Sequence, residues 1–450
     1  IKILYCKREL IRRTSVIALI IFSIAILVNC QSPQSDYLAK VNGEKITVSD
    51  FLATLPKSSV NDVATQCQEH LTKLINRRLI IQKAKAMGLM EQVANSLELS
   101  KKTMLIQKLM EEEIIKKAKA TPIQIQQLYE ILPEVVHLRL IVVNTEDAAQ
   151  LVKRYLQAGV PFESCAYKFS SHPSSKSGGD VGYGRLAFLP EPIRLAVTNL
   201  PLGKVSSPIP TDEGFTFVQL LAKRTEPIGS LAQEEPALRS FLEEQKAKEL
   251  HRRFFAQLNS RLTYNYKALR VFFKPANAIT EEEKELWVCK KDETLFVRVK
   301  SLLPIAESFN PAIDTALRIY AIKREIEDDL LYEEAKKRGF DKDQKILAEL
   351  AKVQDELLYQ TFYNNEISGK VSVSDEAILE YYRKEQANYP TGWNESVKNL
   401  IRSRLLAEAN QQVEAELLEK LKKEAKIEIN QPTFNRLIAE IKKERRTDED

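Results

Sequence analysis

Glycine is scarce, with 13 in 450 residues. So few positions free to take positive φ, set among long Lys/Glu-rich stretches, predict that helices outweigh strands. Charge of one sign is also lacking: 67 basic and 62 acidic residues are interleaved for a net +5. That balance offers no basic face for nucleic acid, which is not an expected partner. Cysteine is sparse and scattered. Beyond residue 29 only Cys30, Cys67, Cys165 and Cys289 remain, with no C-x-x-C spacing, so neither a disulfide framework nor a zinc site is indicated. No metal or cofactor is implied. There is no G-x-x-x-x-G-K-[ST] loop, so ATP has no seat from which to drive a cycle. The apolar stretch Val16 to Val28 falls short of the about 20 residues of a bilayer span. It follows Lys2, Lys7, Arg8, Arg12 and Arg13 and reads as a signal peptide over residues 1–29.

The length, with 44% apolar and 29% charged residues, allows two to four domains. The stretch that organises them runs from Val135 to Thr225. An apolar β-rich run, Leu138 to Val143, leads into a helix capped near Thr145 that stops at Gly159. A short helix follows Pro161, then a Ser/Gly-rich loop closed by Gly178-Gly179-Asp180. A further helix spans Ile193 to Leu200, and strand character returns at Val205 to Ile209 and Phe215 to Leu221. This is a small α+β unit with helices over a mostly antiparallel sheet.

The loop Gly178 to Tyr183, of pattern GGD-x-G-[YW], and Leu200 to Pro208, of pattern L-x-x-G-x-V-S-x-P, carry a resemblance. The stretch resembles a parvulin-type peptidyl-prolyl isomerase domain over nearly its whole length. Rotating an X-Pro bond means crossing a barrier of about 18 to 20 kcal/mol set by amide resonance. The resemblance implies two histidines facing each other across the sheet, a Cys or Asp between them, and an apolar pocket for the proline ring. Position by position, these fall on Arg139, Thr216 and His172, all three substituted. The pocket falls on Leu189 and Ile193, with a later aromatic position on Thr198. A site of this kind is shaped to bind and poorly equipped to catalyse. His172, in the polar Ser171-His172-Pro173-Ser174 loop, is either a solvated histidine or a peptide contact. His137 alternates with Arg139 along the strand and shares its face, so it is a second candidate imidazole.

Leu27-Val28-Asn29-Cys30 resembles a bacterial lipobox, which implies acylation of Cys30, although Asn29 stands where Gly, Ala or Ser is usual. Residues 30–36 then read as a polar tether, and the anchor places the protein on the periplasmic side of a membrane, inner or outer. An uncleaved N-terminal anchor is the alternative.

Tyr37 to Phe51 reads as a strand, a turn at Asn42-Gly43, a second strand and a helix start. Its V-N-G-x-x-I-T-x-x-D-F pattern resembles the opening of SurA- and PrsA-type extracytoplasmic folding factors. Apolar residues of helical period follow over His70 to Gly88, and long helices over Leu97 to Ala120 and Leu231 to Leu262. In the family the chain leaves the isomerase domain to complete the helical domain begun near the N-terminus. The implied fold is therefore α+β and mainly α: a helical chaperone-like domain (37–134) closed by a returning helix (227–280), an inserted parvulin-like domain with a four-stranded antiparallel sheet (135–226), and a second helical unit (281–450).

The second half repeats the plan without the insertion. Ile75, Leu79, Ile80, Ala84 and Gly88 are matched at one constant offset by Ile326, Leu330, Leu331, Ala335 and Gly339. A second offset pairs Leu238, Leu242, Leu258 and Tyr264 with Ile401, Leu405, Leu421 and Ile427. Any two amphipathic helices share such spacing, so duplication and coincidence both stay open.

Three functions follow. One is a lipid-anchored, ATP-independent chaperone for unfolded or nascent exported proteins and proline-containing peptides, with a weak or inactive isomerase domain. Another is a working isomerase with non-standard residues. The last is a non-catalytic assembly or scaffold lipoprotein. Whether the chain forms a homodimer is open.

Overall fold

A computed structural model describes residues 37–56, 62–211, 213–308 and 314–447. The signal segment, the tether and Cys30 lie outside the described residues. The chain is mainly helical, with three small antiparallel sheets.

Strands β1 (Tyr37–Val41) and β2 (Glu44–Thr47) form a hairpin whose turn residues Asn42 and Gly43 both take positive φ, at 50° and 87°. Thr47 then caps α1 (Val48–Thr54): its hydroxyl accepts the Asp50 N–H, and the Asp50 carboxylate accepts the Thr47 N–H. Helix α2 (Val63–Ala86) starts behind Asp62 and buries Leu71, Ile75, Leu79, Ile80 and Ala84 along one stripe. Gly88, at φ 75°, ends it. Helix α3 (Met90–Met110) follows, then α4 (Pro122–Glu130), which opens with proline in its first turn behind the Thr121 cap.

The parvulin-like stretch folds as β3 (Glu134–Val143), α5 (Glu146–Gln157), α6 (Phe162–Phe169), β4 (Asp180–Arg185), α7 (Glu191–Thr198), β5 (Ile209–Thr211) and β6 (Gly214–Thr225). The strand order is β4-β3-β6-β5, antiparallel throughout. This is the expected four-stranded sheet, although Val205 makes only an isolated bridge to Gln219 and β5 begins at Ile209. Alternation along β3 sends Ile141 and Val143, with Phe217, to a face covered by α5 and α6 through Val152, Phe162 and Cys165. Val136 and Leu138, with Val218 and Leu220, go to the other face, where Leu186, Ile193, Val197 and Ile209 meet them.

The chain continues through α8 (Leu231–Asn259), β7 (Leu262–Tyr264), β8 (Trp287–Lys291), β9 (Thr294–Arg298), α9 (Thr315–Lys337), α10 (Gln344–Glu366), α11 (Asp375–Lys384), α12 (Glu395–Glu424), β10 (Ile427–Ile429) and α13 (Gln431–Thr447). The order hairpin, helix, helix thus occurs twice. Ile326, Leu330, Leu331 and Ala335 of α9 are buried as their counterparts on α2 are, and Gly339 stops α9 at φ 79°.

The closing strands depart from the expected plan. Within residues 227–280, α8 does return to the helices begun before the insertion, Leu238 meeting Ile125 and Leu128 and Leu258 meeting Leu105 and Leu109, yet β7 pairs with β8 of the second half, Leu262 opposite Lys291 and Tyr264 opposite Cys289. The first hairpin receives β10 instead, Ala39 opposite Ile429 and Val41 opposite Ile427. A three-residue strand pairs with whichever hairpin edge is open, and the nearer edge costs less loop entropy. With β8 taken, the edge of β1 is left for β10.

By contacts the described residues form two compact units: those up to Lys101 together with those from Leu347 on, and those within Lys102–Ile346. The first unit has one core that joins Phe51, Leu71 and Ile80 to Phe362, Leu421 and Phe434. The second contains the parvulin-like sheet and, around β7-β8-β9, a core of Leu269, Phe272, Val288, Val297, Ile322 and Ile326. No helix among the described residues is long and apolar enough to cross a membrane.

Candidate functional site

Arg139 lies on β3 with Asp180 and Gln219 as its Cα partners. It has the parity of Ile141 and Val143, so it faces α6, where its guanidinium forms an ion pair with Glu163. Thr216 lies on β6 opposite Val142 and Ile209, is 2% exposed, and holds its hydroxyl 3.2 Å from that of Thr211. Val142 is three residues from Arg139, an odd step, so the Arg139 and Thr216 side chains leave the sheet on opposite faces. His172 is tied into its own loop. It precedes the 3-10 turn Pro173–Ser177, where its Nδ1 accepts the Ser174 N–H at 3.2 Å and lies 2.8 Å from Ser174 Oγ.

The three expected positions therefore do not share one hollow, and the departure is at Arg139. The β3 residue on the Thr216 face is Leu140, opposite Val218 and diagonal to Thr216. A one-residue slip in matching a strand moves every side chain to the other face. The glycine loop fixes this stretch. Gly179 takes φ 85°, its carbonyl accepts the Leu140 N–H at 2.8 Å, and a Cβ there would meet Leu140 O at 2.6 Å. Only glycine fits so close an approach.

The apolar half of the site is assembled. Leu189 and Ile193 join Val197, Ile209, Val218 and Leu220 in one cluster, with Leu140 packed against it. Thr198 stays out of it. It is exposed on the far side of α7, with its hydroxyl donating to Arg194 O at 2.8 Å. Val197, one turn after Ile193, fills the inward place instead. Thr198, one residue further along the helix, points away from the cluster.

His137 is on the Arg139 face, between Val136 and Leu138 of the opposite cluster. Its Nε2 is 2.8 Å from Asp180 Oδ1, its ring centroid lies 4.6 Å from that of Tyr183 with the planes tilted by 36°, and the Arg224 guanidinium covers that tyrosine at 4.1 Å. The His137 hydrogen bond, then the Gly182 N–H, hold the Asp180 carboxyl below its usual range. This pair was missed as a unit; a histidine and an aspartate 43 residues apart give no local signal. His137 is therefore on the other face of the sheet from Thr216, whose own face carries the apolar cluster and the Thr216 and Thr211 hydroxyls. Among the described residues no group of His, Cys, Asp and Glu is arranged to hold a metal ion.

Comparison with known proteins matches residues 143–222 to the family described as "Rotamase: PPIC-type PPIASE domain". The foldase protein PrsA of Clostridium kluyveri is 27% identical over 314 residues, covering 53% of this chain and 91% of that protein. PrsA of Bacillus subtilis is 24% identical over 256 residues, covering 52% and 83%. The chaperone SurA of Methylococcus capsulatus is 32% identical over 81 residues, 18% of each. Among solved structures, PrsA of Bacillus anthracis matches at 20% identity and TM-score 0.25, covering 42% of this chain and 97% of that one. A SurA-like chaperone of Campylobacter jejuni matches at 19% identity and TM-score 0.26, covering 51% and 99%. The chain carries a PPIC-type parvulin domain and is a homologue of the PrsA foldases and SurA chaperones.

Proposed function

We propose that this protein is an extracytoplasmic, ATP-independent folding chaperone, lipid-anchored at Cys30, whose parvulin domain binds proline-containing segments with little or no isomerase activity. The observation that carries this reading is the split site. Leu189, Ile193, Val197 and Val218 pack in one apolar cluster, while Arg139 and His137 are on the opposite face of the sheet and His172 is bound into its loop. An apolar concavity takes up a proline ring by burial alone. Lowering the rotational barrier needs a polar group placed against the twisted amide. Clients of such a chaperone are unfolded exported proteins, which share exposed apolar side chains and no fixed sequence.

The test pairs two measurements on the full chain. In a protease-coupled assay with a proline peptide the rate stays at background, while an unfolded model protein is kept from aggregating at near-stoichiometric amounts. A rate well above background contradicts the inactive-domain reading. Unchanged aggregation contradicts the chaperone reading. Mass spectrometry of the mature N-terminus tests the anchor, with a diacylglyceryl mass on Cys30 expected.

A further inference from the structure

One residue ties the closing strand to the rest of the first compact unit. Asn42, in the turn of the first hairpin, makes two hydrogen bonds to Lys426, which stands just before β10. Its backbone N–H donates to the Lys426 carbonyl at 2.9 Å, and its side-chain Oδ1 accepts the Lys426 N–H at 2.8 Å. Its Nδ2 donates to Gln82 Oε1 on α2 at 2.8 Å, and Gln82 is itself fixed, its Nε2 donating to the Val41 carbonyl at 2.9 Å. Both ends of the Asn42 amide are therefore held.

Gly43 follows, and this is the one Asn-Gly pair in the sequence. The turn needs positive φ at both positions, 50° at Asn42 and 87° at Gly43, which these two residue types accept more readily than others. The same pairing is chemically reactive. Glycine has no Cβ to shield its backbone nitrogen, so that nitrogen can attack the carbonyl carbon of the preceding asparagine side chain. A bond forms between Gly43 N and Asn42 Cγ, the bond from Cγ to Nδ2 breaks, and the Gly43 amide proton leaves with Nδ2 as ammonia. Water then opens the five-membered imide at one carbonyl or the other, giving aspartate or isoaspartate. No oxidant, reductant or cofactor is consumed. The attack requires Cγ to turn onto the Gly43 nitrogen, and in the closed unit Lys426 and Gln82 hold both amide atoms where they are.

We propose that Asn42 is a site of spontaneous deamidation held in check by the closing strand, so that the reaction proceeds when β10 leaves the hairpin. A three-residue strand at a sheet edge opens more readily than the core behind it, and its departure removes the Lys426 N–H from Asn42 Oδ1. The product does not restore the clamp. Isoaspartate puts one extra backbone carbon into a two-residue turn that sets the strand register, and aspartate lacks the N–H that Gln82 accepts. The change is irreversible and records that the C-terminal strand has been released.

The experiment incubates the full-length protein at mildly alkaline pH and follows, by mass spectrometry of the proteolytic peptide containing Asn42, the mass gain of amide-to-acid conversion. A synthetic peptide of the sequence Val41 to Ile46 gives the unprotected rate. The native protein is expected to react about tenfold or more slowly than that peptide. Lys426→Pro deletes the N–H that Asn42 Oδ1 accepts, at a place where the preceding Ala425 already has the extended backbone that proline requires, φ −95° and ψ 146°. It should recover most of the difference. Ala39→Cys with Ile429→Cys locks β10 by a disulfide: the oxidised protein should react more slowly than the native one, and reduction should return the native rate, a comparison that needs no destabilised variant. Equal rates in the native protein and the peptide overturn the proposal. So does a rate that oxidation of the double cysteine leaves unmoved, or one unmoved in Lys426→Pro shown by its thermal melt to be folded.

Discussion

Leu140 and Thr216 share one face of the parvulin sheet as diagonal neighbours, and Arg139, beside Leu140 in the chain, points out of the opposite face. A facing pair of imidazoles is therefore built at Leu140 and Thr216. Leu140→His with Thr216→His is expected to raise the isomerase rate by about tenfold or more, the low end of what positioned acid–base groups supply. Arg139→His with Thr216→His should leave it unchanged. Both doubles put a larger polar ring at a buried position and lose about 1 to 3 kcal/mol of stability, so the protease-coupled rate is read on protein shown to be folded.

The His137 and Asp180 pair makes a second expectation, on acid stability. The Asp180 carboxyl titrates in the folded protein below its ordinary value of 3.8, chiefly through the His137 hydrogen bond and then the Gly182 N–H. A depressed acid stabilises the fold above its unfolded pKa, and that contribution is lost as pH falls through the lower, folded value. Urea midpoints of the native protein should therefore decline on acidification below about pH 4, and Asp180→Asn should flatten that part of the profile. At neutral pH the same substitution costs about 1 kcal/mol, because the carboxylate's hydrogen bonds to His137 and the Gly182 N–H are partly exposed to water. An unchanged acid limb in Asp180→Asn would show that other carboxylates set it.

What the sequence made legible follows from how local each signal is. The stripe Ile75, Leu79, Ile80 and Ala84 with its glycine stop, and the Gly178-Gly179-Asp180 loop, each concern residues a few positions apart, and both stand in the fold as expected. The side on which Arg139 leaves the sheet depends on the register of one strand, where a slip of one reverses the answer. Thr198 and Val197 differ by the same single step on a helix. The partners of β7 and β10 had no signal, because three residues such as Ile427-Glu428-Ile429 pair as well with one hairpin edge as with another.

The exchange of closing strands can be locked in place. Ala39 and Ile429 are Cα partners flanked by Leu38, whose carbonyl accepts the Asn430 N–H, so theirs is a non-hydrogen-bonded pair with the closer Cα spacing. Ala39→Cys with Ile429→Cys is expected to form a disulfide within one chain. At the other exchange the native Cys289 already faces Tyr264, so Tyr264→Cys alone supplies the second thiol. Non-reducing electrophoresis should show faster-moving monomer in both cases. Covalent dimers instead would mean that the strands close between two copies.

A last expectation concerns distance along the chain. Phe434 on α13 is 1% exposed, and its ring meets Phe51 edge-on at 6.1 Å in the core shared with Leu71 and Ile80. If the C-terminal helix completes the N-terminal unit, Phe434→Ala opens a cavity in that core and costs about 3 to 5 kcal/mol. The damage should appear at the far end of the sequence. Hydrogen exchange should speed up at the amides of β1, β2 and α2, which depend on that core, while the parvulin sheet between β3 and β6 keeps its protection. A loss near 1 kcal/mol, with exchange changed only in α12 and α13, would mean that α13 is an appendage and the N-terminal unit stands without it.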